Sequence, residues 1–229
     1  MFWTKFRSAA TVLLVAHAGL AMASPVTGSS AGIFANAITQ TSSVLTGLGT
    51  NSFSWGTPFV AGTNPNSLTF NGVGFSTPVG TAFDVGTITY FNGSTNSGTG
   101  ADGVTLSVTL TFTNPAGVVQ NFDYALMIVS TTNDSGTPEG DADRIDFNTA
   151  APQTFLLDGQ LVSLALEVGL TGVNGFSSQS SFSVFENFSE TATLRGVLRA
   201  PNSVPEPSSL ALLAAAGVAG LLTRRRLRT

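Results

Sequence analysis

Ten consecutive residues constrain the fold more than any other part of the chain. Val104-Thr105-Leu106-Ser107-Val108-Thr109-Leu110-Thr111-Phe112-Thr113 alternate apolar and hydroxyl side chains without a break. Only an extended backbone sends every second residue to the same face, so this period specifies a strand with one face in a core and one in water. Thr dominates the polar face, and its branched side chain favours extended backbone. The turn-forming cluster Asn114-Pro115-Ala116-Gly117 follows, and a second alternating run begins at Phe122. Shorter apolar runs lie at 67–75, 87–91, 153–157, 162–168, 181–185 and 192–198, with Gly, Asn, Ser or Pro in nearly every gap. No capped helical pattern interrupts them between residues 50 and 200. The expectation is an all-β domain over 49–199, a two-sheet β-sandwich of jelly-roll-like form. A Ser/Thr-rich flexible lead at 24–48 would add an edge strand, and 200–207 would be linker. The 229 residues suffice for one such domain and its appendages.

Both ends depart from this pattern. Lys5 and Arg7 precede an apolar run from Ala9 to Leu20, and Ala21-Met22-Ala23 supplies a small-x-small sequence. Together these predict a signal peptide with a helical core over 1–23, cut by signal peptidase between Ala23 and Ser24 after engaging the export machinery. At the other end, Pro205-Glu206-Pro207 precedes an apolar run over 208–223 and then Arg224, Arg225, Arg226 and Arg228. At about 1.5 Å per residue that run makes a helix of roughly 24 Å, marginal for a permanent span. The arginines would stay cytoplasmic and leave 24–207 outside. The prolines would hold the Pro-Glu-Pro segment extended, ahead of the membrane surface.

This three-part tail resembles the PEP-CTERM sorting signal of Gram-negative bacteria, over about the last 26 residues. The resemblance implies that an exosortase, a membrane-embedded enzyme, recognises Pro205, Glu206 and Pro207 and removes the tail. It also implies that the helix and Arg224, Arg225, Arg226 and Arg228 act as a stop-transfer. Transient anchoring in the inner membrane would then be followed by delivery to the outer surface or extracellular matrix, in a setting of exopolysaccharide and biofilm.

The chain between the two ends is chemically sparse. Of the 9 basic residues only Arg144, Arg195 and Arg199 lie within 24–204, and of the 13 acids only Glu206 lies outside it, so this segment has a net charge of -9. Such a charge excludes a phosphate-tracking surface, and no nucleic-acid partner is expected. The segment holds no His, Cys or Lys, which removes Ser-His-Asp triads, thiol nucleophiles, Schiff-base lysines and the usual zinc sites. With no disulfide to brace it, an exported domain must rely on its apolar core.

Three features could carry chemistry. Asp134, Glu139, Asp141, Asp143 and Asp146 crowd one glycine-bearing segment, and oxygen ligands at alternating positions suit calcium. The same residues also read as a solvated loop partly neutralised by Arg144, or as a turn whose Asp141 and Asp143 carboxylates accept backbone N–H groups. Trp55 and Tyr90 are candidates for stacking on sugar rings, although Trp55 also reads as core; Tyr90 and Phe91 occupy opposite faces of one strand before an Asn92-Gly93 turn. Glu167, Glu186 and Glu190 could serve a glycosidase, but no spacing pairs them and they read as surface charge.

A second resemblance rests on Phe53-Ser54-Trp55-Gly56, Ser67-Leu68-Thr69-Phe70, the segment from Phe83 to Gly93, and Gly140-Asp141-Ala142-Asp143. These look like the choice-of-anchor K domain, and imply an exported all-β module without an assigned activity. The functional expectation is a non-enzymatic structural or adhesive surface component linked to exopolysaccharide. A carbohydrate-binding module, with or without calcium, is the alternative, and a carboxylate-dependent glycoside hydrolase ranks behind both.

Overall fold

The computed structural model describes residues 24–147, 153–170, 172–178 and 180–199. The signal helix, the linker with its Pro-Glu-Pro, the apolar helix and the arginine cluster all lie outside the described residues. Among those described there are fourteen strands and no helix; none is therefore a helix able to cross a membrane. The first seven strands are β1 (Val26–Thr39), β2 (Leu45–Thr46), β3 (Ser52–Trp55), β4 (Asn66–Gly72), β5 (Gly74–Thr77), β6 (Ala82–Phe91) and β7 (Ala101–Asn114). The rest are β8 (Ala116–Val129), β9 (Asp143–Phe147), β10 (Gln153–Leu157), β11 (Gln160–Leu170), β12 (Gly175–Ser177), β13 (Ser181–Val184) and β14 (Ser189–Arg199). They form two seven-stranded sheets in the orders β12-β13-β9-β8-β7-β1-β5 and β10-β11-β14-β6-β4-β3-β2, which we term sheets A and B. Neighbouring strands are antiparallel throughout both.

The long alternation behaves as its period requires. Val104, Leu106, Val108, Leu110 and Phe112 of β7 point into the core, and the intervening hydroxyls point out. There Ser107 donates to Asp123 at 2.6 Å and Thr109 to Asn121 at 2.7 Å, across to β8. Side chains from both sheets fill the core, and aromatic rings join them at each end. Phe34 of sheet A meets Phe53 of sheet B at 6.1 Å between centroids, and Tyr90 meets Phe182 at 5.9 Å. At the far end Phe75 contacts Phe83 at 4.8 Å, and Phe155 contacts Phe112 and Phe122 at 5.8 and 5.6 Å. Offset and edge-on ring pairs of this kind stabilise beyond the area they bury.

Three expectations are corrected. The lead at 24–48 contains β1, a 14-residue strand paired with β7 along nearly its whole length and flanked by β5 over Val26–Ser29. Its inward positions include Gly28, Ser30 and Gly32, and rings crowd both glycines, Phe70 of sheet B at Gly32 and Phe75 of the neighbouring β5 at Gly28. A Cβ on Gly32 would lie 2.6 Å from the Phe70 ring, and one on Gly28 2.7 Å from Phe75. Second, the run 67–75 is not one strand. It breaks at Gly72, where a Cβ would lie 2.0 Å from the Ser30 carbonyl oxygen, and β4 and β5 join different sheets. Third, the acidic segment ends in β9, whose inward Asp143, Ile145 and Phe147 alternate with polar residues.

Two outcomes test this packing. The Phe70 ring is clasped between Gly32 and Gly86, and a Cβ on Gly86 would meet the ring at 2.6 Å and the Asn71 carbonyl oxygen at 2.7 Å. Gly86→Val should therefore cost about 1–3 kcal/mol in urea unfolding, the usual penalty for overfilling a packed core. The buried Tyr124 hydroxyl has no hydrogen-bond partner among the described residues, and burial raises its pKa above the ordinary tyrosine value. The unfolded chain then loses this proton near pH 10 while the folded chain keeps it, so stability falls as pH climbs from there toward the folded pKa. Tyr124→Phe should be at least as stable as the parent at neutral pH, and should lose less stability between about pH 9 and 11 in urea titrations.

Candidate functional site

The antiparallel arrangement brings the ends of β1, β3, β6, β8 and β13 to the same end of the sandwich as the starts of β7 and β9. Because β6 lies in sheet B and β7 in sheet A, residues 92–100 must cross between the sheets. The Asn92-Gly93 pair therefore opens a crossing and does not close a hairpin. The Gly93 N–H donates to Asn66 Oδ1 at 2.8 Å, and a Cβ there would meet the Asn64 carbonyl oxygen at 2.6 Å. Ser43 donates to the Gly100 carbonyl at 2.6 Å, and the Gly100 N–H donates to Gln40 Oε1 at 3.1 Å. Between this crossing and the β8–β9 connection lies a polar cleft of about 420 Å³, lined by residues including Trp55, Gly98, Ser130, Thr131, Asp143 and Glu186.

Asp143 forms the cleft's inner wall and is only 5% exposed. Its Oδ1 accepts the Thr131 N–H at 2.6 Å and the Thr131 hydroxyl at 3.1 Å. Burial pushes its carboxyl above the ordinary aspartate pKa, the two Thr131 donors pull it back, and the charge of Glu186 adds to the rise. Glu186 also lines the cleft, is half-buried and accepts the Ser94 hydroxyl. Beneath them the Tyr90 hydroxyl is fully buried and lies near the Asp143 carboxylate without a hydrogen bond of normal geometry. Burial, then the charges of Asp143 and Glu186, raise its pKa well above the tyrosine value.

The five acids proposed together as calcium ligands do not converge. Among the described residues no three metal-ligating side chains form one group. Asp134 is exposed and accepts the Thr132 hydroxyl at 2.7 Å, Glu139 is exposed, and Asp141 accepts the Ser135 N–H at 2.8 Å. Strand alternation then separates Asp143, which points inward, from Asp146, which points out. Arg144 pairs with Asp146, at 2.6 and 3.0 Å, and not with Asp141 or Asp143.

The sugar-stacking candidates are corrected as well. Trp55 is 1% exposed and Tyr90 0%; Trp55 stacks on Phe53 at 5.3 Å and on Tyr90 at 5.8 Å, so neither offers a ring face to a ligand. Their neighbour Phe91 is the aromatic on the outer face of β6. Of the three glutamates, Glu167 is exposed opposite Arg195, Glu190 accepts the Val173 and Asn174 N–H groups at 3.1 and 2.7 Å, and only Glu186 enters the cleft. The pairing of Glu186 with Asp143 has no local sequence signal. It arises because Val184 of β13 sits in register with Asp143 of β9.

The fold and the cleft define an all-β domain of two antiparallel sheets with a polar, acidic end. The tail specifies the class further, because residues 203–226 match the PEP-CTERM protein-sorting motif. The match spans Pro205, Glu206 and Pro207 and reaches Arg226, so the chain is an exosortase-sorted exported protein, processed at the membrane and anchored at the cell surface. No curated protein matches the chain. The all-β architecture is compatible with the choice-of-anchor resemblance.

The Thr131 hydroxyl lies within reach of Asp143 Oδ1, of the Asp141 carbonyl at 2.9 Å and of Asn133 Oδ1 at 3.0 Å. Thr131→Val deletes this donor and leaves the backbone bond, and should cost about 1–3 kcal/mol in urea unfolding with an unchanged denaturant slope.

Proposed function

We propose that the protein is a non-enzymatic adhesive component of the surface or extracellular matrix of a Gram-negative cell, holding the cell's own exopolysaccharide. The observation that carries this reading is the outer face of sheet B. Ser52, Thr69, Thr89 and Thr191 lie in register across β3, β4, β6 and β14. Ser52 and Thr69 are hydrogen-bonded at 3.1 Å, and Thr89 and Thr191 at 2.9 Å. A second row sets Ser54 and Ser67 beside Phe91. A neutral surface of donors and acceptors around one aromatic ring suits a chain of sugar hydroxyls and apolar sugar faces. The sorting tail supports the reading by placing the domain outside the cell.

Co-sedimentation of the processed protein with the exopolysaccharide of the producing cells tests this. Phe91→Ala and Thr89→Glu, which remove the ring and put a charge in the hydroxyl row, should each weaken retention about tenfold. A parent protein that stays in the supernatant, or variants retained equally well, would remove the basis for adhesion by this face.

A further inference from the structure

We propose that the end cleft is a divalent-cation site of the calcium class, formed by the Asp143 and Glu186 carboxylates with the Asn92 side-chain oxygen. Two acids facing one cleft are not by themselves a site, and in most proteins an arginine or lysine would lie between them. Here each described arginine is placed elsewhere: Arg144 pairs with Asp146, Arg195 with Asp84 at 3.3 Å, and Arg199 lies opposite Ser163 on sheet B. The carboxylates therefore repel across a partly dehydrated space with no positive charge from the described residues.

One fully buried oxygen gives the independent indication. Asn92 is 0% exposed, and its amide is fixed by donating Nδ2–H to the Val184 carbonyl at 2.9 Å. Val184 is the register partner of Asp143, so the amide lies close to the end of β9 that carries this carboxylate. The Asn92 Oδ1 meets no donor among the described residues. The buried Tyr90 hydroxyl lies near both acids and has Asp143 as its polar neighbour. Buried polar atoms are almost always satisfied, and an amide oxygen can be satisfied only by a donor or a cation. The remaining wall supplies hydroxyl and peptide oxygens from Ser130, Thr131 and Gly98.

The donor set selects the metal. Oxygen ligands alone, from carboxylate, amide and peptide groups on separate loops, suit the 6–8-fold flexible coordination of calcium. Zinc and copper favour nitrogen or sulfur ligands, which His and Cys would have to supply. A bound ion would join the sheet-crossing segment at Asn92 to the β13 end at Glu186 and to β9 at Asp143. It would stabilise the folded state in proportion to occupancy.

Thermal unfolding of the exported protein should be followed in chelator and with added calcium up to about 1 mM, the range in which extracellular calcium modules bind. The midpoint should rise by several degrees with calcium and less with magnesium. Asp143→Asn keeps an acceptor for the Thr131 donors, and Glu186→Gln keeps one for Ser94; each should unfold near the parent midpoint in chelator and lose the calcium rise. Asp134→Asn, in the exposed acidic segment, should keep it. A parent midpoint that does not move, a rise that survives in both cleft variants, or a rise lost with Asp134→Asn would each overturn the assignment. If both cleft variants fail to fold, terbium emission decides. Trp55 lines the cleft and would sensitise a bound terbium ion that calcium displaces, and the absence of sensitised emission would refute the site.

Discussion

Ring contact across the gap between the two sheets is the interaction on which the rest of this structure depends. The described residues hold no disulfide, and their ion pairs, Arg144 with Asp146 and Arg195 with Asp84, are exposed and contribute little. Cohesion is left to the apolar core, where phenylalanines of one sheet reach into the other. That arrangement dictates sequence in places remote from any ring. Gly32 and Gly86 are small because Phe70 lies between them, and Gly28 because Phe75 lies over it. Ser30 supports the same seam through hydrogen bonds to the Val85 carbonyl and the Val73 N–H. Large residues of β4 and β5 and small ones of β1 thus form one complementary surface, and neither half is interpretable without the other.

The cleft follows from the same topology. A chain that pairs β6 in one sheet and β7 in the other must pass over the end of the sandwich, and its backbone polar groups there need partners. Gln40, Ser43, Asn66 and Thr99 supply them, the last through its hydroxyl to the Asn96 carbonyl. The polar wall is therefore a structural requirement first. What the crossing does not require is a buried carboxylate opposite a second one, and that excess distinguishes this end of the molecule from the other.

How far the sequence reveals this depends on which side of each strand faces water. The β7 and β8 strands are legible because each has one wet face and one dry face, and the hydrophobic period survives in the residues. The β1 strand is not, because its inward positions read as Gly and Ser; their burial comes from rings far away in the chain. The β9 strand is concealed differently, since a carboxylate occupies an inward position and the neighbouring acids make the whole segment look like a solvated loop. The site was legible only in part. Asp143 stands out among clustered acids, yet its relevant neighbour is not one of them. Glu186 joins it through the β9–β13 register, a non-local pairing that no spacing rule encodes. The stacked pair Trp55 and Tyr90 shows the converse: residue type offers both as sugar-stacking rings, but the core reading holds for Trp55, and Tyr90 is placed inside by its contact with Phe182 of the other sheet.

The position of β14 has a mechanical consequence. It is the last described strand, and the sorting motif begins a few residues beyond its end at Arg199. Within sheet B it is an interior strand, paired with β11 on one side and β6 on the other along most of its length. Backbone hydrogen bonds in antiparallel pairs run perpendicular to the strands. Drag transmitted through an anchored C-terminal end would therefore pull along β14 and load two ladders in shear, so that many bonds share the force. An edge strand in the same position would peel away one bond at a time. For a domain fixed at the cell surface and exposed to flow, the order of strands in the sheet becomes a determinant of grip.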